Sequence, residues 1–247
     1  MKLNIERYHF ETVTSTNDFA KELLQKNDCV VVTANFQTKG RGRNKNVWLG
    51  DFGQNVYFSL AIKHNDFKRL EEVAYLQGLA AIVVQSALRE LCPKTHFVLK
   101  YPNDVYAKCQ DGKYRKISGI LIEHQFLGEF CSSSIIGIGI NVKQKSFPAE
   151  LQDSATSIIQ LGYETSVEDV ISKLLEYFDK YFALLPSEVF SLWVKELNII
   201  GKQIRVLNKD ATCEVVGIDT IGCLMAKIND TDEVLTINDG DSIRYEF

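Results

Sequence analysis

From Gly201 to the C-terminus the chain leaves room for short strands and little else. Lys202-Gln-Ile-Arg-Val-Leu, Cys213-Glu-Val-Val-Gly-Ile, Cys223-Leu-Met-Ala-Lys-Ile, Val234-Leu-Thr-Ile and Ser242-Ile-Arg-Tyr-Glu are apolar or β-branched runs separated by Gly, Asn and Asp turns. Five such runs in under 50 residues predict a small β-barrel. Immediately upstream, Ser166 to Leu185 and Pro186 to Asn198 read as amphipathic helices, the second with Trp193 on its apolar face. The spacing therefore predicts two units, a large one over residues 1–196 and a small barrel over 197–247. A chain of 247 residues is long enough for both.

The large unit mixes strands and helices. Glu6 to Val13 alternates polar and apolar residues as a strand does. Thr14-Ser-Thr-Asn-Asp18 then has the composition of a helix start, with Ser15 or Thr16 as N-cap. Its hydroxyls can serve capping alone, or can flank free N–H groups that meet a polar ligand. Cys29 to Phe36 and Asn55 to Ile62 predict strands, and Lys68 to Leu91 one long helix in which Gly78, Ala80 and Ala81 pack closely on the sheet. His96 to Tyr101, Val105 to Lys108, Lys116 to Glu123 and Ser132 to Val142 complete the strands. Gly137 and Gly139, two apart, share one face of the last strand, so something approaches the sheet closely there. A ligand or a packed aromatic side chain would each satisfy that requirement.

Between the second and third strands lies Gln37-Thr-Lys-Gly-Arg-Gly-Arg-Asn-Lys-Asn-Val-Trp48. Lys39, Arg41, Arg43 and Lys45 alternate, and no acid occurs from Phe36 to Gly50, in a chain whose net charge is −4. That acidic balance argues against a dedicated nucleic-acid binder. The stretch is either a solvated basic hairpin or, through guanidiniums and glycine-exposed N–H groups, a site for a phosphate or carboxylate. Six cysteines, no two fewer than ten positions apart, contain no Cys-x-x-Cys motif and fit a reducing cytoplasm. His9, His64, His96 and His124 form no close pair in sequence, which argues against a histidine metal site or a Ser/His triad. The N-terminus is too short and polar for a signal peptide, and no apolar run would span a membrane.

Lys116 opens a strand after a polar loop, and Lys100 and Asp104 flank the turn of Lys100-Tyr-Pro-Asn-Asp104. Asp104 could position or deprotonate an amine, bind Mg²⁺, or cap the turn. Together, the basic glycine-rich loop, a rim lysine, a rim aspartate and a glycine-lined strand suit a reaction that joins a carboxylate to a phosphate.

In order along the chain, Ser15-Thr16-Asn17, the loop from Gln37 to Trp48, Lys100-Tyr-Pro-Asn-Asp104, Lys116-Ile-Ser-Gly119-Ile-Leu-Ile-Glu123 and Gly137-Ile-Gly139-Ile-Asn141 resemble the motifs of biotin–protein ligases. The resemblance implies an α+β fold of the class II aminoacyl-tRNA-synthetase and biotin-ligase type, with a mixed sheet and helices, followed by an SH3-like β-barrel. It implies that biotin and MgATP give biotinoyl-5′-AMP, and that a lysine of a biotin carboxyl carrier protein then takes the biotin. On that pattern Ser15, Thr16, Asn17 and Gln37 would bind the ureido head, with Gly119, Gly137 and Gly139 leaving it room. Gly40, Arg41, Gly42 and Arg43 would grip carboxylate and phosphate, and Lys116 would stabilise the reacting oxygens. Asp104 would orient the acceptor lysine or a metal, Asn103 and Asn141 would meet the nucleotide, and Trp48 would close the lid. Lys45 and Asn46 stand where many relatives carry Gly and Arg, and an ammonium does not replace a bidentate guanidinium. Only fourteen residues precede Ser15, too few for the helix-turn-helix domain of repressor relatives, so the likeness is to the ligase-only form, with no DNA or membrane partner. The related lipoate and octanoate ligases or transferases, and a vitamin-binding regulator without catalysis, are the alternative readings.

Overall fold

The computed structural model describes residues 5–43, 46–229 and 231–247. Seven strands make a mixed sheet: β1 (Glu6–Val13), β2 (Cys29–Gln37), β3 (Asn55–Lys68), β4 (Phe97–Lys100), β5 (Asp104–Lys108), β6 (Tyr114–Leu127) and β7 (Phe130–Asn141). Their order is β1-β2-β3-β7-β6-β5-β4, with β1 parallel to β2 and every other pair antiparallel. Strand alternation divides the apolar residues between two faces. Val30, Val32, Ala61 and Ile135 pack under α1 (Thr16–Leu23) through Ala20 and Leu24. Val31, Val56, Phe58 and Ile136 join the larger core on the opposite face, built from α3 (Tyr75–Leu91), α4 (Val167–Phe182) and α5 (Pro186–Leu197). α3 is apolar on nearly every side, as its position between the sheet and two other helices requires.

Two expectations need correction. The helix predicted from Lys68 does not start there, because β3 continues and pairs Lys68 with Cys131. A single turn, α2 (Leu70–Val73), follows, closed by the Arg69 N–H donating to Glu72 Oε2 at 2.8 Å, and α3 begins only at Tyr75. Gly78 serves a helix contact rather than the sheet: a Cβ there would stand 2.6 Å from the Trp193 side chain of α5.

After α5, whose C-cap Asn198 is left-handed (φ 44°), a second sheet forms from β8 (Gln203–Val206), β9 (Ala211–Ile218), β10 (Leu224–Ile228), β11 (Val234–Ile237) and β12 (Ile243–Arg244). It is antiparallel throughout, in the order β11-β10-β9-β8-β12. Its apolar face is continuous with the main core through Trp193 and Tyr101. The β4–β5 turn is held from both sides. The Tyr101 hydroxyl lies 2.9 Å from the carbonyls of Gly222 and Ile237, its N–H donates to Tyr245 Oη at 2.8 Å, and Trp193 Nε1 donates to the Pro102 carbonyl at 3.1 Å. Gly240 sits so close to the Tyr101 carbonyl that a Cβ would not fit. Among the described residues no helix is long and apolar enough to cross a membrane.

Candidate functional site

One cavity of about 380 Å³ opens at the edge where the two sheets meet. It is lined by Ser15, Thr16, Asn17, Gln37, Arg41, Gly42, Arg43, Trp48, Asn103, Asp104, Lys116, Gly119, Gly137, Gly139 and Asn141. These are the residues singled out from sequence, with one exception: Gly40 lies behind the wall, where a Cβ would stand 2.7 Å from the Trp48 carbonyl.

At the inner end the start of α1 turns its polar side chains toward the sheet. Ser15 is the N-cap by backbone position, but its side chain makes no capping bond. The Thr16 N–H and hydroxyl both donate to Gln37 Oε1, at 2.7 and 3.0 Å, which ties α1 to the end of β2. Ser59 on β3 places its hydroxyl 2.8 Å from Thr16 Oγ1 and 2.6 Å from Asn17 Oδ1. Asn17 Nδ2 donates to Glu123 Oε2 at 2.6 Å, so the amide is fixed at both ends. Thr16, Asn17 and Ser59 are buried, and buried polar groups with partners hold a single orientation.

The paired glycines of β7 are occupied by the protein's own side chains. Asn17 fills the space above Gly137, and the Trp48 indole lies on Gly139 and Gly119, leaving no room for a Cβ at any of the three. Trp48 Nε1 is buried without an acceptor among the described residues, and it borders the cavity. An unpartnered buried N–H costs free energy that an acceptor on a bound molecule would recover.

The basic stretch is a hairpin by backbone. Arg41 bridges Val47, the Gly42 N–H donates to Asn46 O at 2.7 Å, and the Trp48 N–H donates to Gly40 O at 3.1 Å. Lys45 lies outside the described residues. The Arg41 guanidinium is held by two carboxylates: it pairs bidentately with Asp18 at 2.7 Å and reaches Glu123 at 3.0 and 3.1 Å. The bond to Asp18 raises its already high pKa further. In this conformation its charge is balanced within the protein, whereas sequence alone assigned it to an incoming anion. Arg43 points to the second sheet, where Nη2 donates to the Asn238 carbonyl at 3.0 Å and lies 3.5 Å from Asp239.

At the outer end Lys116 Nζ stands 2.6 Å from Asp104 Oδ2 and 5.9 Å from the centre of the Trp48 ring. The backbone of Lys116 is pinned by the segment after β7, through its N–H to Ser154 O at 2.8 Å and the Thr156 N–H to its own carbonyl at 2.9 Å. Asn103 and Asn141 are buried and donate to the carbonyls of Ile120 (2.7 Å) and Thr156 (3.0 Å), so their amides shape the wall. Lys100 also lines the cavity, over the Tyr106 ring at 5.5 Å, and burial lowers its pKa. No group of three or more His, Cys, Asp or Glu able to hold a metal occurs among the described residues.

The sequence alone does not reveal the parts played by Asp18 and Ser59, or by Gly240 and Asp241 from the turn between β11 and β12. Glu123 stands within the Lys116 strand motif, and only the structure shows its bonds to Asn17 and Arg41. The histidines, with no close pair in sequence, argue against a histidine metal site or a Ser/His triad, and two of them nevertheless share one hydroxyl. In space His64 Nε2 (2.7 Å) and His124 Nδ1 (2.8 Å) share the Ser134 hydroxyl, because β7 runs between β3 and β6. This pair lies beyond the cavity on the same strands.

Residues 9–141 match the biotin/lipoate A/B protein ligase family. The chain is 34% identical to the bifunctional ligase/repressor BirA of Bacillus subtilis over 234 residues, covering 90% of this chain and 69% of that one. It is 31% identical to the biotin–[acetyl-CoA-carboxylase] ligase of Mycobacterium tuberculosis over 139 residues, 55% of this chain and 47% of the relative. In structure it is similar to the biotin protein ligase of Aquifex aeolicus solved with biotin and ATP, with a TM-score of 0.73, 27% identity, and coverage of 97% and 99% of the two chains.

Proposed function

Since the chain belongs to the biotin/lipoate A/B protein ligase family, we propose that it is an AMP-forming biotin–protein ligase. It activates biotin with ATP to biotinoyl-5′-AMP and transfers the biotin to a lysine of a biotin carboxyl carrier protein. One observation carries this reading: five separated motifs converge on a single cavity that is lined by hydrogen-bonded amides and hydroxyls at one end and by lysines at the other.

The ureido head of biotin is a flat array of two N–H donors and one carbonyl acceptor. Gln37, Thr16 and Asn17 with its support from Ser59 offer complementary groups at the closed end, already oriented. The apolar thiophane ring and valerate chain then lead from Asn17 toward Lys116. There the biotin carboxylate attacks the α-phosphorus of ATP, and the bond to the leaving pyrophosphate breaks. Magnesium enters as part of the nucleotide substrate, and its charge offsets that of the phosphates. Lys116, oriented by Asp104, stabilises the negative charge that develops on the reacting oxygens. In the second half-reaction Asp104 faces the place where an acceptor amine must approach and orients it. Trp48 covers the glycine floor and excludes water from the mixed anhydride. Arg43, tied to the 238–239 turn, holds the hairpin closed over it.

The decisive measurement is ATP–pyrophosphate exchange with biotin, lipoate and octanoate side by side. Exchange with biotin alone is expected. Exchange with lipoate or octanoate but not biotin would replace the reading by the lipoate-type activity that the same family includes, and binding of biotin without any exchange would make the chain a vitamin-binding regulator.

A further inference from the structure

Resting on that reading, we propose that Lys100 is a further catalytic residue, the ammonium that receives the nucleotide phosphates and the departing pyrophosphate. The cations of the cavity differ in what already holds them. Arg41 is held by Asp18 and Glu123, Lys116 by Asp104, and Arg43 by the Asn238 carbonyl with Asp239 nearby. Lys100 has no carboxylate within 4.0 Å and no hydrogen-bond acceptor among the described residues; its ammonium lies over the face of Tyr106 at 5.5 Å. A ring face holds a cation more weakly than a carboxylate and leaves its other side open.

Position adds to this. Lys100 is the register partner of Asp104 across the β4–β5 turn, and Tyr106 is the partner of Lys116 on β6. The two lysines thus stand on either side of one carboxylate at the cavity mouth, one bonded to it and one not. Partial burial of an ammonium without an ion partner is costly. The lowered pKa of Lys100, caused first by burial and only partly opposed by Asp104, has the same origin. An entering polyphosphate removes that cost.

In adenylation the carboxylate oxygen bonds to the α-phosphorus, the bond from the α-phosphorus to the α–β bridging oxygen breaks, and pyrophosphate leaves with that oxygen and the electron pair. Lys100 stays protonated throughout and donates N–H bonds to the β and γ oxygens, on which charge accumulates. Lys116 acts on the α-phosphoryl and carboxylate oxygens. The two lysines divide the reacting group between them.

The test uses Lys100→Met, with Lys100→Arg as the charge-keeping variant and Lys100→Gln in reserve should the methionine variant melt early. Biotin-dependent ATP–pyrophosphate exchange should fall about 100-fold in kcat for Lys100→Met, with substantial recovery in Lys100→Arg. Calorimetric titration of magnesium pyrophosphate, without biotin, should show affinity weakened about tenfold, as loss of a charge-assisted contact implies. Biotin affinity should stay within about twofold, since Lys100 is remote from the ureido net. Wild-type exchange and pyrophosphate affinity in a folded Lys100→Met protein would overturn the proposal, as would equal loss of biotin and pyrophosphate binding. If the unaltered protein supports no exchange with biotin, the ligase reading fails by itself. The pyrophosphate titration still decides Lys100: equal affinity in wild type and Lys100→Met rejects the phosphate contact.

Discussion

The two ends of the cavity are built on different physical terms. At the inner end Thr16, Asn17, Ser59 and Gln37 satisfy one another, and the residues of α1 and β3 there are buried. At the outer end Lys100, Asp104, Lys116 and Arg43 are charged and partly exposed, and their partners come from a turn, a hairpin and a second sheet. A buried hydrogen-bonded net held by the sheet can select shape and hydrogen-bond pattern with little rearrangement. A rim of charges on connecting segments can respond to a ligand whose charge changes during the reaction. On the proposed function, specificity for the acid and catalysis of its activation belong to different parts of the fold.

Four substitutions or conditions sharpen that contrast. The largest effect is expected at the outer end: Lys116→Ala should lower pyrophosphate release from biotin and ATP about 1,000-fold, while biotin still binds. Unchanged release would remove Lys116 from the chemistry. At the inner end, Gln37→Ala should weaken biotin about 100-fold by calorimetry, because it leaves the N–H and hydroxyl of buried Thr16 without their acceptor. A fall in kcat with unaltered affinity would contradict the division between the two ends. Arg43→Ala, which cuts the tether to Asn238, should speed escape of the adenylate before transfer about tenfold. Release of free biotinoyl-AMP at the wild-type rate would show that the tether plays no part in retention.

The smallest effect lies outside both ends. His124 is held near 4, well below the ordinary 6.5, by burial and then by the charge of His64, whose own pKa burial also lowers. Both histidines are favoured neutral in the folded protein, so their contribution is complete above about pH 6.5 and is lost as pH falls toward 4. After allowance for partial solvent exposure this amounts to about 1 kcal/mol. Urea midpoints at pH 7 and 4.5 should therefore converge more closely in His124→Asn than in wild type. Identical pH dependence in the two would exclude the histidine pair as an acid-sensitive element.

What could be read in the chain was what is contiguous in it. Ser15-Thr16-Asn17, the Gln37–Trp48 loop and the Lys116 strand carry their chemistry in short runs, and α4, α5 and the short C-terminal strands announce themselves by spacing. The partners of those runs depend on sheet order. Glu123 reaches Asn17 and Arg41, and His64 meets His124, because β7 inserts between β3 and β6, an arrangement no local pattern reveals. The Gly78 contact needed the position of α5, and the break at Arg69 arose because a cross-strand pair at Lys68 outcompeted helix periodicity. The glycine pair on β7 admitted two occupants in sequence terms, and in the structure Trp48 and Asn17 hold the space.

The seating of Gly240 against Tyr101 gives the small sheet mechanical leverage. With no side chain between them, the 238–241 turn and the β4–β5 turn touch backbone to backbone, and Tyr101 is latched to three strands or turns of the small sheet besides. A displacement of the small sheet cannot be absorbed there by side-chain rearrangement. It passes directly to the segment that carries Lys100 and Asp104, so a load placed on the far side of the small sheet would register first as a change in spacing between those two charges.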